Sequence, residues 1–299
     1  MTGRTARRRI LRVTAAGPSG AGGLEGGEGT HRADLLATEE PLEIRVNGRP
    51  LAVTMRTPGD DIDLAAGFLV TEGLVQDSSG IAGIRICEAG QDLAAGAGAR
   101  QNGDGGARSP GNVADVTLAA GVDIDDDRLR RNFLTTSACG VCGKASIDAI
   151  RVRAVHDVAA DPVSVAASVL AGLPGTLRAA QRVFAHTGGL HAAGVFTADG
   201  SMLTLREDVG RHNAVDKVAG WAAREGRLPL AGHILLVSGR ASFELVQKAY
   251  VTGIPVVAAV SAPSSLAADL AGEAGMTLVG FLRGNSMNVY TGDHRIASP

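Results

Sequence analysis

The last third of the chain constrains the fold most, because strand and helix patterns alternate there with short links. Ile234–Ser238 reads as a strand, Ser242–Thr252 as a helix, Pro255–Ser261 as a strand, Ser264–Ala274 as a helix and Thr277–Leu282 as a strand. Strands separated by single helices must pair in parallel through right-handed crossovers. Upstream, Gln181–Ala185 and Ala192–Thr197 read as strands, Ala198-Asp199-Gly200-Ser201 as a turn, and Met202–Glu207 as the returning strand. A helix follows from Gly210 to about Glu225, with Val215, Val218, Trp221 and Ala222 on one apolar stripe. The hairpin makes the sheet mixed. We expect an α/β domain with a three-layer mixed sheet over residues 120–299.

A smaller β-rich domain is expected over residues 38–119. Leu42–Val46 alternates as a strand, Asn47-Gly48 turns it, and Leu51–Met55 returns as a hairpin. Thr57-Pro58-Gly59-Asp60-Asp61 leads into helical spacing over Ile62–Val75, and Ile84–Cys87 and Val113–Leu118 have strand character. Between them, residues 88–112 are dominated by Gly, Ala and small polar residues, the composition of a long flexible surface loop. Residues 1–37 begin Arg- and Gly-rich without a hydrophobic period, so a disordered tail is expected.

Composition narrows the function classes. With 45% hydrophobic and 20% charged residues, the chain is of the soluble globular kind. A net charge of −2 argues against general affinity for nucleic acid or membrane surfaces. No stretch reaches the roughly 18–20 apolar residues of a membrane span. Arg7-Arg8-Arg9 resembles a twin-arginine signal, but no apolar run of signal-peptide length follows. Three cysteines cannot form a disulfide framework, and a cytoplasmic location is expected. Of 29 basic residues only Lys144, Lys217 and Lys248 are lysine, which suggests that a compact ammonium is needed at those places.

Three regions carry chemistry. Cys139-Gly140-Val141-Cys142 runs into what reads as a helix start, where free backbone N–H groups and the helix dipole favour thiolate. A zinc ribbon would need more ligands than Cys87 adds. A zinc deaminase would need an upstream H-x-E, and the only earlier histidine, His31, is followed by Arg32 and Ala33. A thioredoxin-like exchanger would place the motif early in a much smaller domain. A persulfide carrier, with one activated thiolate and a helper thiol, meets no conflict.

The second region is the set of carboxyl ends of the parallel strands, where open α/β sheets bind ligands. They read Ser238-Gly239-Arg240-Ala241-Ser242, Ser261-Ala262-Pro263-Ser264-Ser265 and Phe281-Leu282-Arg283-Gly284-Asn285-Ser286. Taken singly, such Ser and Gly residues cap helices and turn loops. Three converging loops bearing Arg240 and Arg283 point to an anionic, nucleotide-like ligand. The third region is Leu205–Lys217, where His212 and Asp216 share one helix face and Asn213 and Lys217 another. Beside a strand end and a Gly, this cluster is expected to join the site. His186 and His191 flank a Gly-Gly turn nearby.

These segments, in order, closely resemble the formate dehydrogenase accessory sulfurtransferases, the FdhD family. Phe133–Lys144, His186–His191, Arg206–Lys217, Ser238–Lys248, Ser261-Ala262-Pro263 and Phe281–Tyr290 carry the likeness, with Thr57–Asp61 and Leu64–Leu69. It spans roughly residues 38–296, and the usual serine before the first cysteine is Ala138 here. The resemblance implies a cytoplasmic, dimeric protein with the cytidine-deaminase-like fold and no structural zinc. It implies sulfur taken as a persulfide from a cysteine desulfurase and passed to the molybdenum bis-guanine-dinucleotide cofactor, or a tungsten form. The cofactor would then enter formate dehydrogenase. By position, Cys139 would bear the persulfide, Cys142 would assist, and Phe281, Leu282, Arg283, Gly284, Asn285 and Ser286 would contact the cofactor. With the strand-end argument, Ser238, Gly239, Arg240, His212 and Lys217 complete the candidate site. The competing reading is a chaperone that binds the cofactor without transferring sulfur.

Overall fold

The computed structural model describes residues 3–14, 28–88, 111–122, 124 and 155–297. Cys139, Cys142, Lys144 and nearly all of the 88–112 segment lie outside the described residues.

The chain opens with β1 (Thr5–Thr14) and β2 (Glu28–Ala37), followed by β3 (Glu40–Val46), β4 (Arg49–Arg56) and helix α1 (Asp61–Thr71). Strands β5 (Ile81–Cys87) and β6 (Val113–Leu118) precede the short β7 (Val165–Ala166), α2 (Ala167–Ala180) and α3 (Arg182–Thr187). Then come β8 (His191–Thr197), β9 (Met202–Asp208), α4 (Arg211–Arg224), β10 (His233–Val237), α5 (Phe243–Val251), β11 (Val256–Ala259) and α6 (Ser265–Glu273). Strands β12 (Thr277–Arg283), β13 (Ser286–Thr291) and β14 (Ile296–Ala297) close the described chain.

The larger sheet has the order β13-β12-β11-β10-β8-β9. Its centre, β10-β11-β12, is parallel, while the hairpin β8-β9 and strand β13 add antiparallel edges, so the sheet is mixed as the pattern predicts. Ile234 and Leu236 face a core shared with Leu170, Leu173 and Leu177 of α2. Leu235 and Val237 face the opposite core, shared with Val215 and Val218 of α4, Leu245 and Val246 of α5 and Leu270 of α6. Burial on both faces is why β10 reads as an unbroken apolar run.

The smaller sheet, ordered β4-β3-β6-β5, carries α1 on the face lined by Leu42, Ile44, Val46 and Val116. Leu64, Phe68 and Leu69 of α1 fill that core, and Ala223 of α4 reaches into it. Helices α1 and α4 therefore lie against each other between the two sheets.

Two expectations fail. Gln181–Ala185 does not form a strand. Arg182–Thr187 is the short helix α3 instead, because the Glu207 carboxylate accepts the N–H groups of Val183 (3.0 Å) and Phe184 (2.8 Å) at its start. The second departure lies in residues 1–37, where β1 and β2 pair antiparallel through ten residues each in place of the expected disorder. Backbone pairing holds this ribbon, and none of its described side chains is buried, so it needs no hydrophobic period. At its root Thr38 N–H donates to Arg4 O at 3.0 Å, and Arg4 pairs with Asp60.

Candidate functional site

The loops that leave β10, β11 and β12 lie side by side, joined by backbone hydrogen bonds. Ser261 N–H donates to Gly239 O (3.3 Å), Ala241 N–H to Ala262 O (3.2 Å), Ser264 N–H to Ala241 O (3.0 Å) and Phe281 N–H to Ser261 O (3.1 Å). The three strand ends thus form one continuous rim. Arg240 and Arg283 are both exposed on it, and neither is in an ion pair with a carboxylate among the described residues.

Arg283 is tethered without being neutralised. Its Nε donates to Val260 O at 3.0 Å, and its guanidinium lies 5.8 Å from the centroid of the Phe281 ring. Phe281 has φ 50°, a left-handed conformation that costs a bulky residue about 1–3 kcal/mol and persists only where neighbours fix it. Its ring remains 38% exposed. Gly284 (φ 53°), Asn285 and Ser286 form the exposed tip between β12 and β13. Leu282, by contrast, is fully buried in the core beneath, so its side chain supports the rim from within.

At the inner end of the rim, the Ser238 hydroxyl accepts the Ala192 N–H at 2.9 Å. Gly239 lies against the next side chain along, since a Cβ there would stand 3.4 Å from His191 Nδ1. Burial, then Arg211 and His212, push the His191 pKa below its ordinary value. His212, in the first turn of α4, places Nε2 2.8 Å from Glu244 Oε2 and 3.3 Å from Ser242 Oγ. The other oxygen, Glu244 Oε1, is buried with no hydrogen-bond partner among the described residues. Glu244 comes from α5 and carries no signal in the sequence that ties it to His212.

Lys217 is placed differently from the expectation that it faces the ligand. It is fully buried, with Nζ 2.7 Å from Asp208 Oδ2 and donating to Thr57 O at 2.9 Å. Asp208 also accepts N–H groups from Thr57 (3.1 Å) and Gly210 (2.8 Å), and Asn213 Nδ2 (3.0 Å). Asn213 reaches Met55 O at 2.7 Å from the same helix face as Lys217, which makes that face a polar seam between the two sheets. Lys248 repeats the arrangement one helix away. Its Nζ lies 2.8 Å from Asp216 Oδ1, 2.9 Å from Thr71 Oγ1 and 3.4 Å from Glu72 Oε1. Burial opposes the Lys248 charge, but the carboxylates of Asp216 and Glu72 outweigh it and hold the ammonium pKa above its ordinary value. Two of the three lysines therefore occupy confined ionic seats where a compact ammonium fits.

Among the described residues, no helix is long and apolar enough to cross a membrane.

Fold and site together define a mixed α/β protein with a cationic rim at the ends of its parallel strands. The chain belongs to the FdhD/NarQ family, whose model matches residues 37–297. Sulfur carrier protein FdhD of Streptomyces avermitilis is 55% identical over 296 residues, covering 98% of this chain and 96% of that protein. The protein of the same name from Nocardia farcinica is 54% identical over 299 residues, covering 100% and 97%. A solved structure assigned as a formate dehydrogenase accessory protein, from Desulfotalea psychrophila, superimposes with a TM-score of 0.70 at 22% identity, covering 98% of this chain and 99% of that one. This last likeness supports the fold.

Proposed function

We propose that the chain is a sulfur carrier that serves formate dehydrogenase. Cys139 receives sulfane sulfur as a persulfide from a cysteine desulfurase, and Cys142 assists its release. In the first transfer a desulfurase persulfide, R–S–SH, meets the Cys139 thiol. The Cys139 thiolate forms a bond to the sulfane sulfur, the donor thiolate leaves, and the proton lost by Cys139 goes to that donor. The products are Cys139–S–SH and R–SH, with no net oxidation. The substrate that takes the sulfur onward is the molybdenum bis-guanine-dinucleotide cofactor, or its tungsten form, before it enters formate dehydrogenase.

The observation that supports a nucleotide-bearing substrate is the rim itself. Three strand-end loops lie in register, with exposed Arg240 and Arg283 and the strained, exposed Phe281. Guanidinium groups of this kind bind diphosphate through paired N–H donors, and an exposed aromatic face accepts a planar base. The ligand contacts are assigned to Phe281, Arg283, Gly284, Asn285, Ser286, Gly239 and Arg240. Ser238, Leu282 and His212 hold the rim in place, and Lys217 pins the seam between the two sheets. The succession of hairpin β8-β9, α4, β10, α5 and β11 is consistent with the cytidine-deaminase-like arrangement. A cytoplasmic homodimer is the working assembly.

Calorimetry with guanosine diphosphate tests the rim. Binding to the parent protein that is lost in Arg283→Ala and retained in Cys139→Ala supports this assignment, while equal affinity in all three, or no binding to the parent, places the ligand elsewhere. A cofactor-binding chaperone without sulfur transfer is the second reading. It is favoured if guanosine diphosphate binds and no persulfide forms.

A further inference from the structure

The FdhD/NarQ family model matches residues 37–297, so the β1–β2 ribbon precedes that match almost entirely. It is also strongly cationic, in a chain whose net charge is −2. Strands β1 and β2 carry Arg7, Arg8, Arg9, Arg12 and Arg32 against two carboxylates, Glu28 and Asp34. The register puts Arg7 opposite Leu35, Arg9 opposite Ala33, Leu11 opposite His31 and Val13 opposite Gly29. Directly paired residues share a face of a ribbon. That face therefore bears Arg7, Arg9 and His31, with Leu11 and Val13 towards the far end, and no carboxylate. Leu11 is 54% and Val13 60% exposed. Arg7, Arg8, Arg9, His31, Arg32 and Ala33 line an open depression of about 430 Å³.

A two-stranded ribbon alone is marginally stable in water and leaves both outer edges unpaired. Arg7, Arg9 and His31 on its cationic face are exposed and belong to neither sheet's core. Its root, however, is fixed close to the rim. Arg4 pairs with Asp60, β2 packs against α3, and Ala37 lies against Gly189, two residues before His191.

We infer that this ribbon is a docking surface for an acidic protein face, seated on Arg7, Arg9 and His31 with Leu11 and Val13 as its apolar end. Arginine is enriched in protein interfaces, and here it stands beside the exposed aliphatic side chains of Leu11 and Val13. Nucleic acid is a poorer match. The ribbon offers no Phe, Tyr or Trp on which a base could stack, and aliphatic side chains gain little from a phosphate backbone. A partner seated there would be held beside the strand-end rim. The role of that partner as sulfur donor or acceptor rests on the function proposed above.

The test uses the full-length protein with a cysteine desulfurase and a formate dehydrogenase as separate probes, followed by biolayer interferometry at low and high salt. Arg7→Glu with Arg9→Glu should slow association with at least one probe about tenfold or more, and salt should slow the parent in the same direction. Arg7→Gln with Arg9→Gln, which leaves no repulsive charge, should give a smaller loss with the same partner. Circular dichroism should show both variants folded. Unchanged association with both probes overturns the inference. So does tighter binding of a DNA duplex than of either protein, or a change of oligomeric state in the variants, which would make a second copy the occupant. Guanosine diphosphate affinity reports on the rim independently, so failure of the cofactor assignment would leave these association rates interpretable.

Discussion

Gly67 of α1 and Gly220 of α4 meet backbone to backbone at the crossing of the two helices. A Cβ on Gly67 would stand 1.7 Å from Asp216 O, and one on Gly220 would stand 1.8 Å from Asp63 O. No side-chain movement relieves a clash with backbone, so the helices must separate to admit a single methyl group. Gly67→Ala or Gly220→Ala should therefore cost at least about 3 kcal/mol, at the upper end of overpacking effects. Urea unfolding measures this, and a loss within experimental error would mean that the crossing is looser than the glycines indicate.

The Lys217–Asp208 pair is expected to be structural. Lys217→Met leaves Asp208 buried without its counter-charge and should destabilise by about 3–5 kcal/mol. Lys217→Arg should also destabilise, because a planar guanidinium does not fit a seat built for one ammonium. A double variant, Lys217→Met with Asp208→Leu, should recover part of the loss. Full stability of Lys217→Met combined with loss of guanosine diphosphate binding would instead assign Lys217 to the ligand.

Stability should fall on mild acidification. Burial lowers the pKa values of His156 and His191 below the ordinary 6.5. The unfolded chain then binds protons more readily than the folded one, so this stability is full above pH 6.5 and is lost as pH falls through the depressed folded values. Thermal unfolding should show a falling midpoint over that window. His191→Gln should flatten its own part of the slope. A midpoint that rises on acidification over that window would contradict the sign.

At the rim, each charge-assisted contact from Arg240 or Arg283 to diphosphate should be worth about 1.5–3 kcal/mol, or roughly ten- to a hundredfold in affinity. Arg283→Lys should recover little if the guanidinium holds two oxygens at once. Titration calorimetry with guanosine diphosphate reads both variants.

Much of this architecture is legible in the sequence, for identifiable reasons. The β10–β12 region is readable because burial on both faces produces unbroken apolar runs with short helical links. The meeting of the three strand-end loops is readable because neighbouring parallel strands end on one side of the sheet. The ribbon escapes the same reading since it has no core, and a search for hydrophobic periods finds nothing in it. Helix α3 is misread because its start is capped by Glu207, more than twenty residues away. Lys217 is conspicuous as one of three lysines, but its neighbours in sequence do not disclose that Thr57 and Asp208 enclose it. Glu244 goes unnoticed for the same reason. Spacing along α4 predicts which side chains share a face, whereas only the packed structure shows what that face meets.

The cysteines separate transfer from binding. Cys139→Ala should abolish maturation of active formate dehydrogenase and leave folding intact, because a reactive thiol belongs on an accessible loop. Cys142→Ala should impair maturation less uniformly, since an external thiol can replace a helper. Full formate dehydrogenase activity in cells carrying only Cys139→Ala would remove the persulfide step.

The most direct test of sulfur transfer is mass spectrometry of the intact and digested protein after incubation with a cysteine desulfurase and cysteine. A single sulfur adduct on Cys139, removed by reductant and absent from Cys139→Ala, is the predicted result. A parent protein that binds guanosine diphosphate and never acquires sulfur on Cys139 would contradict the account.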